Sequence, residues 1–118
     1  MTVEPAIVRP IGEYDLSRER ELARQLSEAI GAGRPLVIDL GRTTFLDSTV
    51  LGVLLTAQQR CDLRGLGFAI ALPEGSAHTV RNGLRLLGIH RYARIFGTVD
   101  EAVAYVVEGT DESIGSAL

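Results

Sequence analysis

The sequence predicts a single α/β domain, and three observations predict it. Patterns typical of a β-strand and of an α-helix alternate four times along the 118 residues. One strand pattern, residues 35–40, is almost entirely apolar, as in a parallel strand that is covered on both faces. No repeat, low-complexity block or linker rich in Pro, Gly or Ser divides the chain. We therefore expect one layered domain with parallel middle strands and right-handed crossovers.

The chain begins with one strand pattern and one helix pattern. Residues 6–11 predict a short strand, and Pro10 places that strand at an edge of the sheet because proline has no N–H to donate. Residues 16–30 predict an amphipathic helix that Asp15 or Ser17 caps and that the following glycines end. The apolar face of this helix consists of Leu22, Leu26, Ala29 and Ile30.

Three more strand and helix pairs follow, and glycine or proline separates them. In chain order they are residues 35–40 with 49–64, residues 68–72 with 77–87, and residues 94–96 with a helix that the capping box Thr98–Glu101 opens. We expect the domain to cover residues 6–108. Residues 1–5 are then a short lead, and residues 109–118 are a flexible tail.

The composition excludes several classes of function. The net charge is −3, and there is no Trp and no run of Lys or Arg, so the chain lacks the basic, stacking surface that nucleic acid needs. Cys61 is the only cysteine, which excludes an intrachain disulfide and favours the cytosol. No apolar run is long enough to span a bilayer, and the first residues do not have the charged start and apolar h-region that are typical of a secretory leader. We expect a cytoplasmic protein without nucleic-acid or membrane partners.

Residues that suggest an enzyme have plainer interpretations. Ser48, Asp47 and either His78 or His90 supply the residue types of a nucleophilic triad, but no Gly-x-Ser-x-Gly elbow accompanies them. Neither histidine has a partner at a metal-ligand spacing, so we expect both at the surface. Cys61 shares the apolar stripe of the second helix and is expected to be an inert buried thiol. We therefore predict no enzyme activity, no cofactor and no metal site.

The most informative segment is residues 45–49, which lies between the buried strand and the second helix. We expect Ser48 to be the N-cap of that helix. A helix N-terminus also favours an added phosphate, because its backbone N–H groups are unpaired and the macrodipole is positive there. Ser48 is therefore both a predicted cap and a candidate modification site.

Three neighbours of Ser48 leave alternatives open. Gly52 lies in the first turns of the helix, where glycine is less favourable than alanine by about 1 kcal/mol. Either tight packing on the sheet or a docking partner should therefore require it. Phe45 and Leu46 lie in a connection that should run over the surface. They form either a recognition patch or a contact that is tucked under the sheet.

Residues 36–55, LVIDLGRTTFLDSTVLGVLL, closely resemble the signature of STAS domains, and specifically of the small bacterial anti-sigma factor antagonists. GEYDL at residues 12–16 is similar to the Gly-Glu-Leu-Asp element of that family. LLGI at residues 86–89 and the last strand and helix also match, so the resemblance covers roughly residues 6–108.

The resemblance implies a mixed sheet of four or five strands with about four helices, and no catalysis of its own. It implies that a partner kinase phosphorylates the serine after the motif aspartate, which is Ser48, and that a phosphatase acting on phospho-Ser48 resets it. The resemblance further implies that this serine kinase, of the GHKL type, is itself the anti-sigma factor. It implies that the unphosphorylated antagonist binds the kinase and frees a sigma factor, and that the phosphorylated antagonist dissociates. The residues expected near the partner-facing surface are Asp15, Thr44, Phe45, Leu46, Asp47, Ser48, Thr49, Val50 and Gly52.

The chain departs from the family pattern in two places. Val50 stands where the family has glycine, and we expect its β-branched side chain either to narrow kinase access or to alter which partner fits. Residues 1–5 leave little room for the first strand of the family, so we expect the sheet either to have one strand fewer or to pair that strand differently. We expect a monomer or a weak dimer. The alternative function is a STAS subunit of an ABC-type transport complex that binds an ATPase subunit constitutively, and a scaffold in a stress-signalling assembly is a third.

Overall fold

The computed structural model describes residues 4–109, and within them six strands form two sheets. A four-stranded sheet has the order β1-β3-β5-β6, and β2 pairs with β4 in a separate two-stranded sheet. The predicted α/β class is confirmed, and the strand pairs within these residues are all parallel. The strands are β1 (Ala6–Val8), β2 (Gly12–Tyr14), β3 (Leu36–Asp39), β4 (Thr43–Leu46), β5 (Phe68–Ala71) and β6 (Arg94–Phe96).

The same residues contain four α-helices and two short 3-10 turns. The helices are α1 (Glu19–Gly31), α2 (Ser48–Leu63), α3 (His78–Leu86) and α4 (Val99–Glu108), and the turns are Leu16–Arg18 and Ile89–Arg91. None of these described helices is long and apolar enough to cross a membrane.

The helices cover the four-stranded sheet on both faces. α1, α2 and α3 bury Leu22, Leu54 and Leu84 in one core cluster with one face of the sheet. α4 packs on the opposite face through Ala102 and Val106. The strand order advances in one direction from β1 to β6, and α1, α2 and α3 all lie on one face. These three crossovers therefore have the same hand, as expected for parallel strands.

Several predicted boundaries are confirmed by their caps. Asp15 caps the first 3-10 turn, because its Oδ1 accepts a hydrogen bond from the Ser17 N–H at 2.9 Å. Thr98 caps α4, because its hydroxyl oxygen accepts from the Glu101 N–H at 3.1 Å. Gly88 follows α3 with a φ of 65°, the left-handed conformation that favours glycine.

The structure differs from the prediction around β2 and β4. The sequence predicts an irregular surface connection before α2, whereas β4 forms there and pairs with β2. The buried Thr43 hydroxyl donates to the Pro10 carbonyl and ties the two segments together. β2 and β4 have three and four residues that include Gly, Glu and Thr, so no apolar run marks them as strands in the sequence. Residues 1–3 of the predicted lead and residues 110–118 of the predicted tail lie outside the described residues.

Candidate functional site

Ser48 directly follows the end of β4, and the β2–β4 pair brings Asp15 to the same place. Tyr14 pairs with Leu46 in the parallel ladder. The Asp47 N–H donates to the Tyr14 carbonyl at 3.2 Å, which extends this pairing by one residue. Asp15 and Ser48, which are far apart in the sequence, each follow one of the two residues joined by this hydrogen bond and therefore lie close together.

Asp47, and not Ser48, is the N-cap of α2. The Asp47 Oδ1 accepts a hydrogen bond from the Val50 N–H at 2.9 Å, and its backbone is extended, as in most caps. α2 begins at Ser48, one residue earlier than predicted. The prediction that Ser48 caps the helix is therefore wrong, because the carboxylate before it already accepts this bond.

The Ser48 hydroxyl is exposed at the first residue of α2. Thr49 is exposed beside it. Within residues 4–109 neither the Ser48 hydroxyl nor the Thr49 hydroxyl forms a hydrogen bond. The nearby Thr44 differs, because its carbonyl accepts a hydrogen bond from the Thr79 hydroxyl at 2.7 Å. Because Asp47 already holds the cap, a group added to Ser48 removes no hydrogen bond from the start of the helix.

The other predicted site residues lie at different depths. Thr44 is exposed, and the Phe45 side chain is 43% exposed. Leu46 is half-buried and packs against the main core cluster. Phe45 therefore belongs to the surface, and Leu46 is the one tucked against the core. Val50 is fully buried, so the expectation that its side chain lies at this surface is corrected.

The surface around Ser48 is acidic. Glu13 and Asp15 are exposed on the β2 side, and Asp47 precedes the serine. Hydrogen bonds from the Ser17 hydroxyl and N–H, at 2.5 and 2.9 Å, hold the pKa of Asp15 below its ordinary value. The Asp15 carboxylate is therefore charged at neutral pH, and a phosphate on Ser48 would join existing negative charge.

Arg18 positions this surface, and sequence reasoning did not identify it. Its guanidinium carbon lies 3.8 Å from the centroid of the Tyr14 ring, and Nη2 donates to the Tyr14 hydroxyl at 2.9 Å. Nη1 donates to the Ile11 carbonyl at 2.9 Å. Arg18 thereby clamps β2 beside the 3-10 turn and holds Asp15 in place. No local pattern marks one arginine in a turn as a clamp, because its partners are set by the tertiary fold.

A groove of about 320 Å³ between α1 and α2 begins beside Ser48. Thr49, Gly52 and Val53 line it from α2, and Ala23 lines it from α1. Apart from the adjoining backbone of α2 itself, no atom of residues 4–109 lies within 4 Å of the position that a Cβ on Gly52 would occupy. Of the two alternatives for Gly52, tight packing on the sheet therefore does not explain it. That a docking partner requires it stays a prediction.

Gly52→Ala should raise the free energy of unfolding by about 0.5–1 kcal/mol, because alanine loses less backbone entropy in a helix. The added methyl group meets open space. Urea unfolding followed by circular dichroism measures the change. A lower midpoint for Gly52→Ala would contradict this interpretation, since it would require a clash that the structure lacks.

Cys61 and the two histidines take no part in this surface. Cys61 is fully buried, and burial raises the pKa of its thiol even though Arg60 and Arg64 act in the opposite direction. His78 and His90 are exposed. Among the described residues no group of three or more His, Cys, Asp or Glu side chains is placed to hold a metal ion.

The Cys61 thiol should react with the thiol reagent DTNB at least about 100-fold more slowly in the native protein than in denaturant. Burial prevents the reagent from reaching the Cys61 sulfur, and it also disfavours the reactive thiolate form. The release of thionitrobenzoate in buffer and in concentrated urea measures the ratio. Equal rates would mean that the second helix does not bury this residue in solution.

The model of the STAS domain family matches residues 2–102 of this chain. An anti-sigma factor antagonist from Mycobacterium paratuberculosis is 23% identical, with 90% of this chain and 92% of that chain covered and a TM-score of 0.74. SpoIIAA in its unphosphorylated form is 21% identical over 92% of each chain, with a TM-score of 0.73.

Two further solved structures extend this comparison. The phosphorylated form of the Bacillus cell fate determinant SpoIIAA is 22% identical over 87% of this chain and 91% of that chain, with a TM-score of 0.66. A sulfate transporter family protein from Wolinella succinogenes is 20% identical over 92% and 93% of the two chains, with a TM-score of 0.62. At identities of 20–23%, the similarity to these structures shows that this chain has the same fold, and it shows nothing about function. With the family model matching most of its length, the chain belongs to the STAS domain family.

Proposed function

We propose that this STAS domain is an anti-sigma factor antagonist whose partner binding is switched by phosphorylation of Ser48. In its unphosphorylated form it binds an anti-sigma factor that is also a serine kinase of the GHKL type, and a sigma factor is released. Phosphorylation by that kinase ends the binding, and a phosphatase restores it. The role requires no catalytic group in this chain.

One observation carries the proposal: the Ser48 hydroxyl is exposed and forms no hydrogen bond to any residue that the structure describes, while Asp47 caps α2. A kinase can therefore reach the acceptor oxygen, and the phosphate does not compete with a bond that the helix needs. The phosphate would also lie at a helix N-terminus, where the macrodipole and unpaired N–H groups tolerate negative charge. The domain can thus change its surface without changing its fold.

The expected effect on the partner follows from charge. A phosphate adds about −1.5 to −2 charges at pH 7, next to Asp47 and close to Asp15. At the centre of an interface that charge must be desolvated or face acidic groups of the partner, which costs a few kcal/mol. Since each 1.4 kcal/mol is tenfold in affinity, this cost is sufficient for a switch.

The partner-facing surface that we propose surrounds Ser48. Phe45 supplies an exposed aromatic side chain of the kind that often anchors an interface. Thr44, Thr49 and Gly52 extend the surface, and Leu46 and Val50 support it from beneath. SpoIIAA, which has the same fold, is an anti-sigma factor antagonist with a phosphorylated form, and this supports the proposal by analogy.

The direct test is phosphorylation of the purified chain by the candidate kinase and ATP, followed by intact-mass and peptide mass spectrometry. We expect one phosphate on wild type and on Thr49→Ala, and none on Ser48→Ala. Modification of Ser48→Ala to the same extent would contradict the assignment of Ser48. No modification of wild type, under conditions in which the kinase modifies a related antagonist, would contradict the proposed function.

Gly52→Ala should weaken binding of the anti-sigma factor by about tenfold, although it stabilises the free chain. The reason is that a methyl group at this position prevents close approach of the partner's backbone. Gly83→Ala in α3 is the matched control, because a Cβ there also has no atom of the described residues within 4 Å outside its own helix backbone. If both variants bind like wild type, the α1–α2 groove lies outside the interface. Biolayer interferometry measures both affinities.

No observation specific to this chain favours the alternative of a constitutive transporter subunit. The Wolinella protein shares the fold, as expected for a family that serves several functions.

A further inference from the structure

A second concave surface lies at the opposite end of α2 from Ser48. This cleft, of about 320 Å³, lies between the last turns of α2, the start of β5 and the segment of residues 90–94 that leads into β6. Ser48 begins the 16-residue helix α2, and Asp62 near its other end lines the cleft. At 1.5 Å per residue the two ends are about 20 Å apart. A ligand in this cleft would therefore not touch Ser48.

Four polar side chains that line the cleft have no partner within the described residues. Gln58 and Asp62 come from α2, and His90 and Arg91 come from the 3-10 turn before β6. Within residues 4–109 none of these side chains forms a hydrogen bond or an ion pair. Their donors and acceptors are therefore directed to solvent or to a ligand, on two walls of the same cleft.

The two walls differ in charge. Arg91, Arg94 and His90 lie on the wall that leads into β6, whereas Asp62 is the acidic residue on the α2 wall. The chain as a whole has a net charge of −3, so this wall is basic on an otherwise acidic protein. Two guanidinium groups and an imidazole can donate several hydrogen bonds to the oxygens of one phosphate.

Aromatic side chains complete the cleft. The Tyr92 side chain is 59% exposed at the rim, and Tyr105 of α4 lines the far side. The Tyr105 ring is held by the Phe96 ring, with 5.3 Å between their centroids. Tyrosine rings offer an apolar face to the C–H groups of a sugar ring or to a planar base. A volume near 300 Å³ is at the small end of ligand sites.

We propose that this cleft binds a phosphorylated sugar. The basic wall of Arg91, Arg94 and His90 holds the phosphate. Asp62 accepts hydrogen bonds from the sugar hydroxyl groups, and the Gln58 amide both donates hydrogen bonds to them and accepts hydrogen bonds from them. The ligand is either a free sugar phosphate or the ribose phosphate of a mononucleotide, because both present the same chemistry to these residues. The inference is independent of the function proposed for Ser48.

The test is a titration of the ¹⁵N-labelled full chain, followed by two-dimensional NMR, with ribose 5-phosphate, adenosine monophosphate, ribose and inorganic phosphate as separate probes. We expect saturable shifts of amides near the cleft, such as Gly67 and Ala93, with a Kd below about 1 mM for ribose 5-phosphate. Ribose and inorganic phosphate should each bind at least about tenfold more weakly. Tighter binding of the mononucleotide than of ribose 5-phosphate identifies a nucleotide as the source.

Variants separate a binding site from general charge attraction. Arg91→Gln should weaken ribose 5-phosphate binding by at least about tenfold. Arg20→Gln, which makes the same charge change at an exposed position of α1, should leave it unchanged. Asp62→Asn should weaken the binding of ribose 5-phosphate but leave the binding of inorganic phosphate unchanged. The proposal is overturned if no probe shifts the cleft amides at a concentration tenfold above a Kd of about 1 mM. It is also overturned if inorganic phosphate binds as tightly as the sugar phosphate, or if Arg91→Gln and Arg20→Gln change ribose 5-phosphate binding to the same extent.

Discussion

Ser48→Glu is expected to weaken binding of the anti-sigma factor by at least about 100-fold, if the function proposed for Ser48 is right. The side chain is exposed at the first residue of α2, so a carboxylate there projects into the proposed interface. It joins Asp47 and Asp15 on a surface that is already acidic. Isothermal titration calorimetry with the purified anti-sigma factor measures the loss directly.

Two control variants distinguish charge at this site from other effects of Ser48→Glu. Ser48→Gln has nearly the same shape without the charge, and should lose much less affinity than Ser48→Glu. Gln59→Glu adds the same charge at an exposed position further along α2 and should bind like wild type. Equal losses for Ser48→Gln and Ser48→Glu would show that bulk, and not charge, operates the switch.

The fold itself should survive Ser48→Glu. Asp47 supplies the cap of α2, and a negative charge in the first turn is favourable with respect to the helix dipole. We expect the free energy of unfolding to change by less than about 0.5 kcal/mol. A loss of binding with unchanged unfolding then places the effect at the interface.

Gly67→Ala is expected to destabilise the domain by about 3 kcal/mol, the largest effect that we predict for adding a single methyl group. A Cβ on Gly67 would lie 2.6 Å from the Val106 carbonyl oxygen and 2.7 Å from the Val106 Cα. These are backbone atoms of α4, so the whole helix must move away from the sheet. α4 buries Ala102 and Val106 against that face, and its displacement exposes this smaller core cluster.

Thermal unfolding by calorimetry measures this effect, and the expected fall in Tm is about 10 °C or more. Gly83→Ala is the matched control, because the structure places no described atom outside the backbone of α3 within 4 Å of a Cβ at this position. This substitution should stabilise α3. Trimming Val106 to alanine in the Gly67→Ala background should not restore stability, since the nearest atoms belong to the backbone. A Gly67→Ala variant as stable as wild type would mean that α4 does not pack as closely as the structure has it.

The candidate site could be located from sequence because its chemistry is local. A buried strand, a short polar connection and a helix start within a few residues of one another, and the residues around Ser48 carry the motif of the family. The exposure of Ser48 and Phe45 agrees with that location. The cap was assigned to the wrong residue, because aspartate and serine are equally good caps and the sequence does not say at which of the two the helix begins.

Other features of the site depend on contacts between distant segments. Asp15 lies near Ser48 only because β2 pairs with β4, and neither of these short strands contains an apolar run that would mark it in the sequence. Val50 and Thr49 are adjacent in sequence, yet one is buried and the other exposed, because the rotation of α2 against the sheet decides which side points inward. The clamp formed by Arg18 likewise requires Tyr14 and Ile11 to be folded around it.

The sequence by itself determined the alternation of strands and helices, the inward faces of the helices, and the segment that contains Ser48. Hydrophobic periodicity, turn residues and caps act over a few residues, so they can be read from a single chain. Only the tertiary structure decided the pairing of β2 with β4, the free space beside Gly52, the contact between Gly67 and α4, and the cleft at the far end of α2. These features join residues that are distant along the chain, and their energies come from packing that no local pattern encodes.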